Sequence, residues 1–220
     1  QNKILVLAGE KRFFTLNSSV LGGGFHTPCF VINQQVVKGY AGNDPRGDLI
    51  KGIREIGLDP AECVGMMTAA HVRDASIVFE RGDQISVAAI ATAGTSNAMA
   101  AGGTPPPVSF SGAGTINIIL LIDGNLTEGA MVNAVITATE GKTMALQDLK
   151  IKDIFTGEPA SGTSTDAVVV AVTGKGQKLS YAGTATEVGG MIGRTVRKSV
   201  TEAIRRYLEY QERTGKPEEN

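Results

Sequence analysis

Small hydroxylated residues and glycines recur together in five stretches: LNSSVLGGG at residues 16–24, AGTSN at 93–97, GTIN at 114–117, SGTSTD at 161–166 and YAGTATEVGG at 181–190. A glycine beside serine or threonine lets backbone N–H groups turn outward around an anionic or strongly polar oxygen, and the same arrangement builds an oxyanion hole. One such stretch is ordinary turn chemistry. Five in a chain of 220 residues predict that several line a common cleft. Residues 17–24, 94–97 and 161–166 are the ones expected to converge.

Other catalytic templates find less support. A Ser-His-Asp arrangement would have to use His26 or His71, the two histidines of the chain, and no Gly-x-Ser-x-Gly elbow is present. A metal site could draw on His26, Cys29, Cys63, His71 and Asp166, yet His26-x-x-Cys29 is the one pair with ligand-like spacing. Lys175, in GKGQK, lacks the frame of a phosphate loop. Carboxylates offer a fourth template. Glu140 and Lys142 lie in TEGKT among small apolar residues, where a desolvated carboxylate could act as a general base or simply form a structural ion pair. Asp166 follows a hydroxyl-rich turn and precedes AVVVAV, a position that either caps the loop or faces a site.

The elements that must hold these residues read as alternating strands and helices. Residues 3–8, 12–16 and 29–37 are rich in β-branched and aromatic residues and predict strands. Residues 77–79 and 85–91 flank Arg81-Gly82-Asp83 as a hairpin, and 115–122 and 167–172 predict buried strands. Helices are expected at 48–56 with Asp48 as cap and Gly57 as stop, at 127–149 with a break at Gly141, and at 188–211. In the last helix Ile192, Val196, Val200, Ile204 and Leu208 recur four apart and should pack on a central sheet containing 116–121 and 168–172. The pattern predicts one α+β domain over 1–211, with mixed or antiparallel sheets covered by helices, followed by a polar tail over 212–220. The alternative is a layered α/β sandwich with two sheets between helices. Residues 100–114 (AAGGTPPPVSFSGAG) read as an ordered surface excursion in preference to a domain boundary.

Composition narrows the function classes. Lys+Arg 21 against Asp+Glu 22 gives a net charge of −1, without the basic footprint of a nucleic-acid binder. No apolar run approaches the roughly 20 residues of a membrane helix, which predicts a soluble protein. Two cysteines allow at most one disulfide, and the simpler expectation is a pair of reduced thiols in a cytoplasmic protein. Gly 28, Trp 0 and 5% aromatics predict tight turns and close backbone approaches in preference to a cavity walled by rings.

As an ordered set, GGG followed by VIN, GMMTAA (65–70), AGTSN, the block GTINIILLIDGNLTEGAMVNAVITATEGKTMALQDL (114–149), SGTSTDAVVVA and YAGTATEVGGMIGRTV resemble the adenosylcobinamide amidohydrolase family, which includes archaeal cobinamide-salvage enzymes. The resemblance covers residues 12–206. It implies hydrolysis of the amide joining the aminopropanol arm to the corrin ring, giving adenosylcobyric acid and aminopropanol for cobalamin biosynthesis. The implied partner is a corrinoid small molecule whose cobalt arrives with the substrate, so no protein metal or cofactor is expected. Neither nucleic acid nor a membrane span is expected, and a homo-oligomer is compatible. Two departures stand out: Asn17 precedes Ser18 where LSSA-like residues are typical, and Gly141 replaces the alanine of a TEAKT-like motif, loosening that helix by about 1 kcal/mol.

The resemblance carries no assigned nucleophile, so roles come from residue chemistry. Glu140 is the first candidate base, with Lys142 two residues on as a further catalytic candidate, and Asp166 is the second, held by Thr163 and Thr165. Ser18 and Ser96 are candidate nucleophiles. Backbone N–H groups around Gly22, Gly23 and Gly24, or around Gly94 and Thr95, would stabilise an oxyanion, and Asn97 would orient the scissile carbonyl. Asn33, Thr115 and Asn117 complete the expected substrate-binding set. The rival readings are a noncatalytic corrinoid-binding module and a Ser/Thr-nucleophile amidase of other substrate range.

Overall fold

Residues 116–123 and 167–172 read INIILLID and AVVVAV, uninterrupted apolar runs of the kind that form strands covered on both faces. In the computed structural model, which describes residues 3–103 and 114–215, they are β9 (Ile116–Asp123) and β12 (Ala167–Val172), parallel neighbours at the centre of a six-stranded sheet. Its order is β3 (Gly24–His26), β2 (Phe14–Asn17), β12, β9, β7 (Ser86–Ala93) and β6 (Ser76–Arg81), and the remaining pairings are antiparallel. A three-stranded sheet orders β1 (Ile4–Ala8), β4 (Phe30–Gln35) and β5 (Cys63–Thr68), antiparallel then parallel. Two short pairs pin loops: β8 (Ala98–Met99) with β11 (Gly162–Thr163), and β10 (Asn125–Leu126) with β13 (Lys178–Leu179).

The strand period of two then assigns the layers. On β9, Ile116, Ile118, Leu120 and Ile122 face the helices α2 (Glu128–Asp148) and α3 (Glu187–Thr214), joined there by Val87, Ala89, Ala91, Val170 and Val172. The opposite phase, with Ile90, Ile119, Val169 and Ala171, packs against Val31, Val64 and Met66 of the smaller sheet. That sheet's outer face carries α1 (Pro45–Glu55) through Ile32, Cys63, Leu49 and Ile53. The fold is therefore α+β in its layered form: two helices, a mixed sheet, a second sheet, one helix. No helix among the described residues is long and apolar enough to cross a membrane.

Local signals explain where the element ends differ from expectation. Helix α1 starts at Pro45, because Asp44 accepts from the Gly47 N–H at 2.9 Å and proline suits the first helical position; Asp48 lies in the first turn. Gly57, at φ +79°, terminates it as expected. Helix α2 runs unbroken through Gly141. A Cβ there would stand 3.1 Å from the Gly193 carbonyl oxygen and 3.4 Å from the Val196 Cβ, so glycine lets α2 and α3 cross closely. In α3, Ile192, Val196, Val200 and Ile204 are buried on the sheet, but Leu208 is 38% exposed. The helix continues past 211 to Thr214, where Gly215 ends it in the left-handed conformation. The rest of the polar tail, 216–220, lies outside the described residues, as do 104–113 of the surface excursion.

Candidate active site

Parallel pairing of β9 and β12 places Asn117 beside Ala167, so the residues leading into both strands emerge at one end of the sheet. Strand β7 runs antiparallel to β9 and ends there, with Ala93 opposite Ile116. The β8–β11 pair sets Ala98 against Thr163 and clips residues 97–99 to 162–163. Three of the hydroxyl-glycine stretches, 94–97, 114–117 and 161–166, thus meet although they are far apart in sequence.

Their side chains form one hydrogen-bonded chain. The Gly114 carbonyl oxygen accepts from Asn97 Nδ2 at 2.7 Å and from the Thr165 hydroxyl at 2.8 Å. Thr115 Oγ1 lies within donating distance of the Thr165 carbonyl, 2.8 Å, and of Asn117 Oδ1, 3.1 Å. Asn117 Nδ2 donates to Asn33 Oδ1 at 2.9 Å and to the Met67 carbonyl at 2.8 Å, and Asn33 Nδ2 donates to the Thr92 hydroxyl at 3.0 Å. Asn97, Thr115, Asn117, Asn33 and Thr92 are all buried, while Ser164 and Thr165 form an exposed rim. Hydrogen bonds within a buried polar chain hold its atoms in fixed positions.

Asp166 fastens this cluster to α2. Its carboxylate accepts from the Ile116 N–H at 3.0 Å, the Thr163 N–H at 3.1 Å and the Thr163 hydroxyl, and it pairs with the Lys142 ammonium. Both side chains of that ion pair are about nine-tenths buried, being 10% and 11% exposed. A Cβ on Gly162 would stand 2.5 Å from Asp166 Oδ2 and 2.6 Å from Lys142 Nζ, so only glycine fits there. With four donors on its two oxygens, Asp166 is an anchor for the start of β9 and the 163 turn. Glu140 is placed differently. Gly141, Lys142 and Ala145 take the buried face of α2, and Glu140 is turned to solvent, so the desolvation expected of it is absent.

The glycine-rich hairpin at 17–24 stays outside the cluster's hydrogen bonding. Asn17 Nδ2 donates to the carbonyls of Gly22 and Gly24, both at 3.1 Å, so the turn presents carbonyls to Asn17 where an oxyanion hole would need N–H groups. Gly23 completes that turn, with Gly22 and Gly24 at positive φ. Ser18 is exposed and extends the β2–β12 ladder, its N–H on the Val168 carbonyl and its hydroxyl accepting the Val168 N–H, each at 3.1 Å. Ser96 stands beside the cluster, and the Thr95 carbonyl accepts the Ala98 N–H in the turn that aims Asn97. Cys29 and Cys63 are free thiols. Cys29 donates to Glu62, and burial pushes the Cys63 thiol up to about 11, which keeps it protonated at neutral pH.

A groove of about 610 Å³ reaches the cluster from the α3 side. Ala93 and Gly94 line it, and the Gly94 N–H donates to the Thr115 carbonyl at 3.0 Å. Tyr207, Tyr210 and His71 line its outer part, with the His71 and Tyr210 rings edge to face at 4.5 Å. The scarcity of aromatics therefore does not keep rings out of the groove: α3 runs past the sheet and carries two tyrosines into it.

Residues 1–212 match the model of a protein family described as adenosylcobinamide amidohydrolase. This chain belongs to the adenosylcobinamide amidohydrolase family. The adenosylcobinamide amidohydrolase of Methanosarcina mazei is 30% identical over 214 residues, 93% of this chain and 91% of its own length. The one of Halobacterium salinarum is 36% identical over 54% of this chain and 50% of its own. An uncharacterized protein of Methanocaldococcus jannaschii is 35% identical over 69% of this chain; the match spans 66% of that protein. Among solved structures, a Burkholderia beta-aminopeptidase is similar with TM-score 0.48 at 11% identity, over 98% of this chain and 87% of its own. The PH0078 protein of Pyrococcus horikoshii OT3 gives TM-score 0.44 at 10% identity, over 91% and 73%. Neither likeness assigns a role to a residue.

In this amidohydrolase-family chain the sequence reading missed Thr92 and Asp153, and it singled out Gly114 and Ser164 only as members of GTIN and SGTSTD. Thr92 signals itself as a hydroxyl inside the apolar run of β7, on the phase facing the second sheet. Ser164 accepts from Asn97 at 2.7 Å. Asp153 accepts the N–H groups of Ala100, Phe155 and Thr156, and those bonds hold its carboxyl below the usual aspartate range while fixing the loop behind Asn97.

Proposed function

We propose that the protein hydrolyses the amide joining the aminopropanol arm to the corrin ring of adenosylcobinamide, releasing adenosylcobyric acid and aminopropanol. The observation that carries this reading is the family match, whose span of residues 1–212 includes the cluster at Asn97, Thr115, Asn117, Lys142 and Asp166. Amide hydrolysis needs a polarised carbonyl, a nucleophile and a proton for the departing amine. The cluster supplies preorganised side-chain donors and a hydroxyl behind Gly94, which lines the groove and bonds to Thr115. A corrinoid is far larger than a groove of about 610 Å³, so in this reading the arm enters and the macrocycle stays at the mouth. Cobalt enters the reaction as part of the substrate.

Mass spectrometry of adenosylcobinamide incubated with the pure protein tests the reading. Adenosylcobyric acid and aminopropanol should appear in equal amounts and with multiple turnovers. Stoichiometric binding without release of aminopropanol would mark a corrinoid-binding module and end the enzymatic reading.

A further inference from the structure

The peptide bond between Gly114 and Thr115 is itself held like a reacting amide. Its carbonyl oxygen takes two side-chain donors, Asn97 Nδ2 at 2.7 Å and Thr165 Oγ1 at 2.8 Å, from loops on either side of it in sequence. A pair of fixed donors on one carbonyl oxygen is the arrangement that stabilises an oxyanion. The acyl residue has to be glycine: a Cβ on Gly114 would lie 2.2 Å from Asn97 Oδ1, 2.8 Å from the Gly94 carbonyl oxygen and 3.0 Å from Ser96 Oγ. The residue on the amine side is a threonine, whose hydroxyl can reach the preceding carbonyl carbon through a five-membered ring.

The intact chain also poses two difficulties that cleavage of this bond removes. Thr115 Oγ1 is positioned by the Thr165 carbonyl and the Asn117 amide oxygen, neither of which takes a proton at neutral pH. Asp166 is committed to Lys142, Thr163 and the Ile116 N–H, and no histidine appears among the hydrogen bonds of the cluster. Among the described residues the hydroxyl therefore has no base. Thr115 is only 5% exposed, and the Gly114 carbonyl occupies the donors that a substrate carbonyl would need.

We propose that the chain cleaves itself between Gly114 and Thr115, and that the freed Thr115 is the catalytic nucleophile of the amidase. Thr115 Oγ attacks the Gly114 carbonyl carbon, its proton passes to the Thr115 nitrogen, and the C–N bond breaks to leave an ester. Water then adds to the ester, giving a Gly114 carboxylate, the restored hydroxyl and a free α-amine on Thr115. That amine, with an ordinary pKa of about 7.7–8.0, becomes the base for its own hydroxyl. In turnover the hydroxyl attacks the substrate amide, the α-amine carries the proton to the departing amine, and water hydrolyses the acyl ester. Asn97 and Thr165, released from Gly114, hold the substrate oxygen. The new terminus stays in place because Gly94 N–H holds the Thr115 carbonyl and Asp166 holds the Ile116 N–H. The second half of this proposal rests on the proposed amidase activity; the cleavage does not.

Denaturing intact-mass measurement of the pure protein is the direct test. Two fragments divided between Gly114 and Thr115 should be found, co-eluting as one species under native conditions. Thr115→Ala should give a single uncleaved chain with native circular dichroism and no turnover, Thr115→Ser should still cleave, and Asn97→Ala should slow cleavage by roughly 10²–10³-fold. A pH profile of kcat should rise through the range of an α-amine. Cleavage that persists in Thr115→Ala, or falls at another bond, overturns the proposal. An intact chain that hydrolyses adenosylcobinamide overturns it too, and leaves the proposed function standing. A chain cut at Gly114–Thr115 that releases no aminopropanol keeps the cleavage and refutes the function.

Discussion

Residues 17–24 and 114–117 share a chemistry, glycine next to hydroxyl and asparagine, and the fold uses them in opposite ways. The first is a hairpin that satisfies itself: Asn17 holds the carbonyls of Gly22 and Gly24, and Ser19 N–H returns to Asn17 Oδ1 at 3.0 Å. The second is satisfied from elsewhere, by Asn97, Thr165, Asp166, Asn33 and Met67. A stretch that closes its own hydrogen bonds has nothing left to offer a substrate. One whose groups are held by distant loops is positioned by the whole fold, and it is there that chemistry becomes affordable. Position in the sheet decides between them: β2 lies next to the short edge strand β3, whereas β9 lies at the centre between β12 and β7 with a layer over each face.

The sharpest way to break this contrast is to disable the side chain that anchors each region. Asp166→Asn leaves the Lys142 ammonium buried without its partner, which costs about 3–5 kcal/mol and detaches β9 from the 163 turn. Turnover of adenosylcobinamide should fall by at least 10²-fold in whatever fraction stays folded. Asn17→Ala removes two bonds to hairpin carbonyls, costs about 1–3 kcal/mol in a denaturant melt, and should leave turnover per folded molecule near that of the parent. Loss of turnover in folded Asn17→Ala would place the hairpin in the site after all.

Much of this was readable in residues whose environment is set locally. The apolar runs of β9 and β12, the hairpin around Gly82 and the stripe from Ile192 to Ile204 follow from period and burial. Three motifs of the resemblance, AGTSN, GTIN and SGTSTD, also build the cluster. Two things were hidden. That Asn97 meets Ser164 depends on β9 and β12 pairing in parallel, a non-local choice that no loop composition reveals. Which of Glu140 and Lys142 is buried depends on the phase of α2, and AVITATEGKTMAL puts small residues on every face, so the helix carries no stripe to read.

A pair of glycines sharpens the comparison at smaller cost. Gly114→Ala drives a Cβ into Asn97 Oδ1 and the Gly94 carbonyl, where backbone cannot yield; a cost of about 1–3 kcal/mol and a strong loss of turnover are expected. Gly24→Ala meets nothing within 4 Å, but its φ of +86° strains an alanine by about 1 kcal/mol. Its melting temperature should fall slightly and its kinetics should not change. Equal kinetic damage from both would mean that the two regions work together.

The smallest expected effect belongs to Glu140. Its carboxylate is in solvent on α2, two residues from the buried Lys142, and shares none of the hydrogen bonds that hold Thr115. An exposed side chain with no buried partner contributes little to stability, and its substitution usually stays within about 0.5 kcal/mol. Glu140→Gln should therefore keep both its denaturation midpoint and its turnover, within about twofold. A general base reached through solvent would behave otherwise: turnover would drop by roughly 10²–10⁴-fold while corrinoid affinity persisted. That result would move the chemistry off the Asn97–Thr115 cluster and onto the outer face of α2.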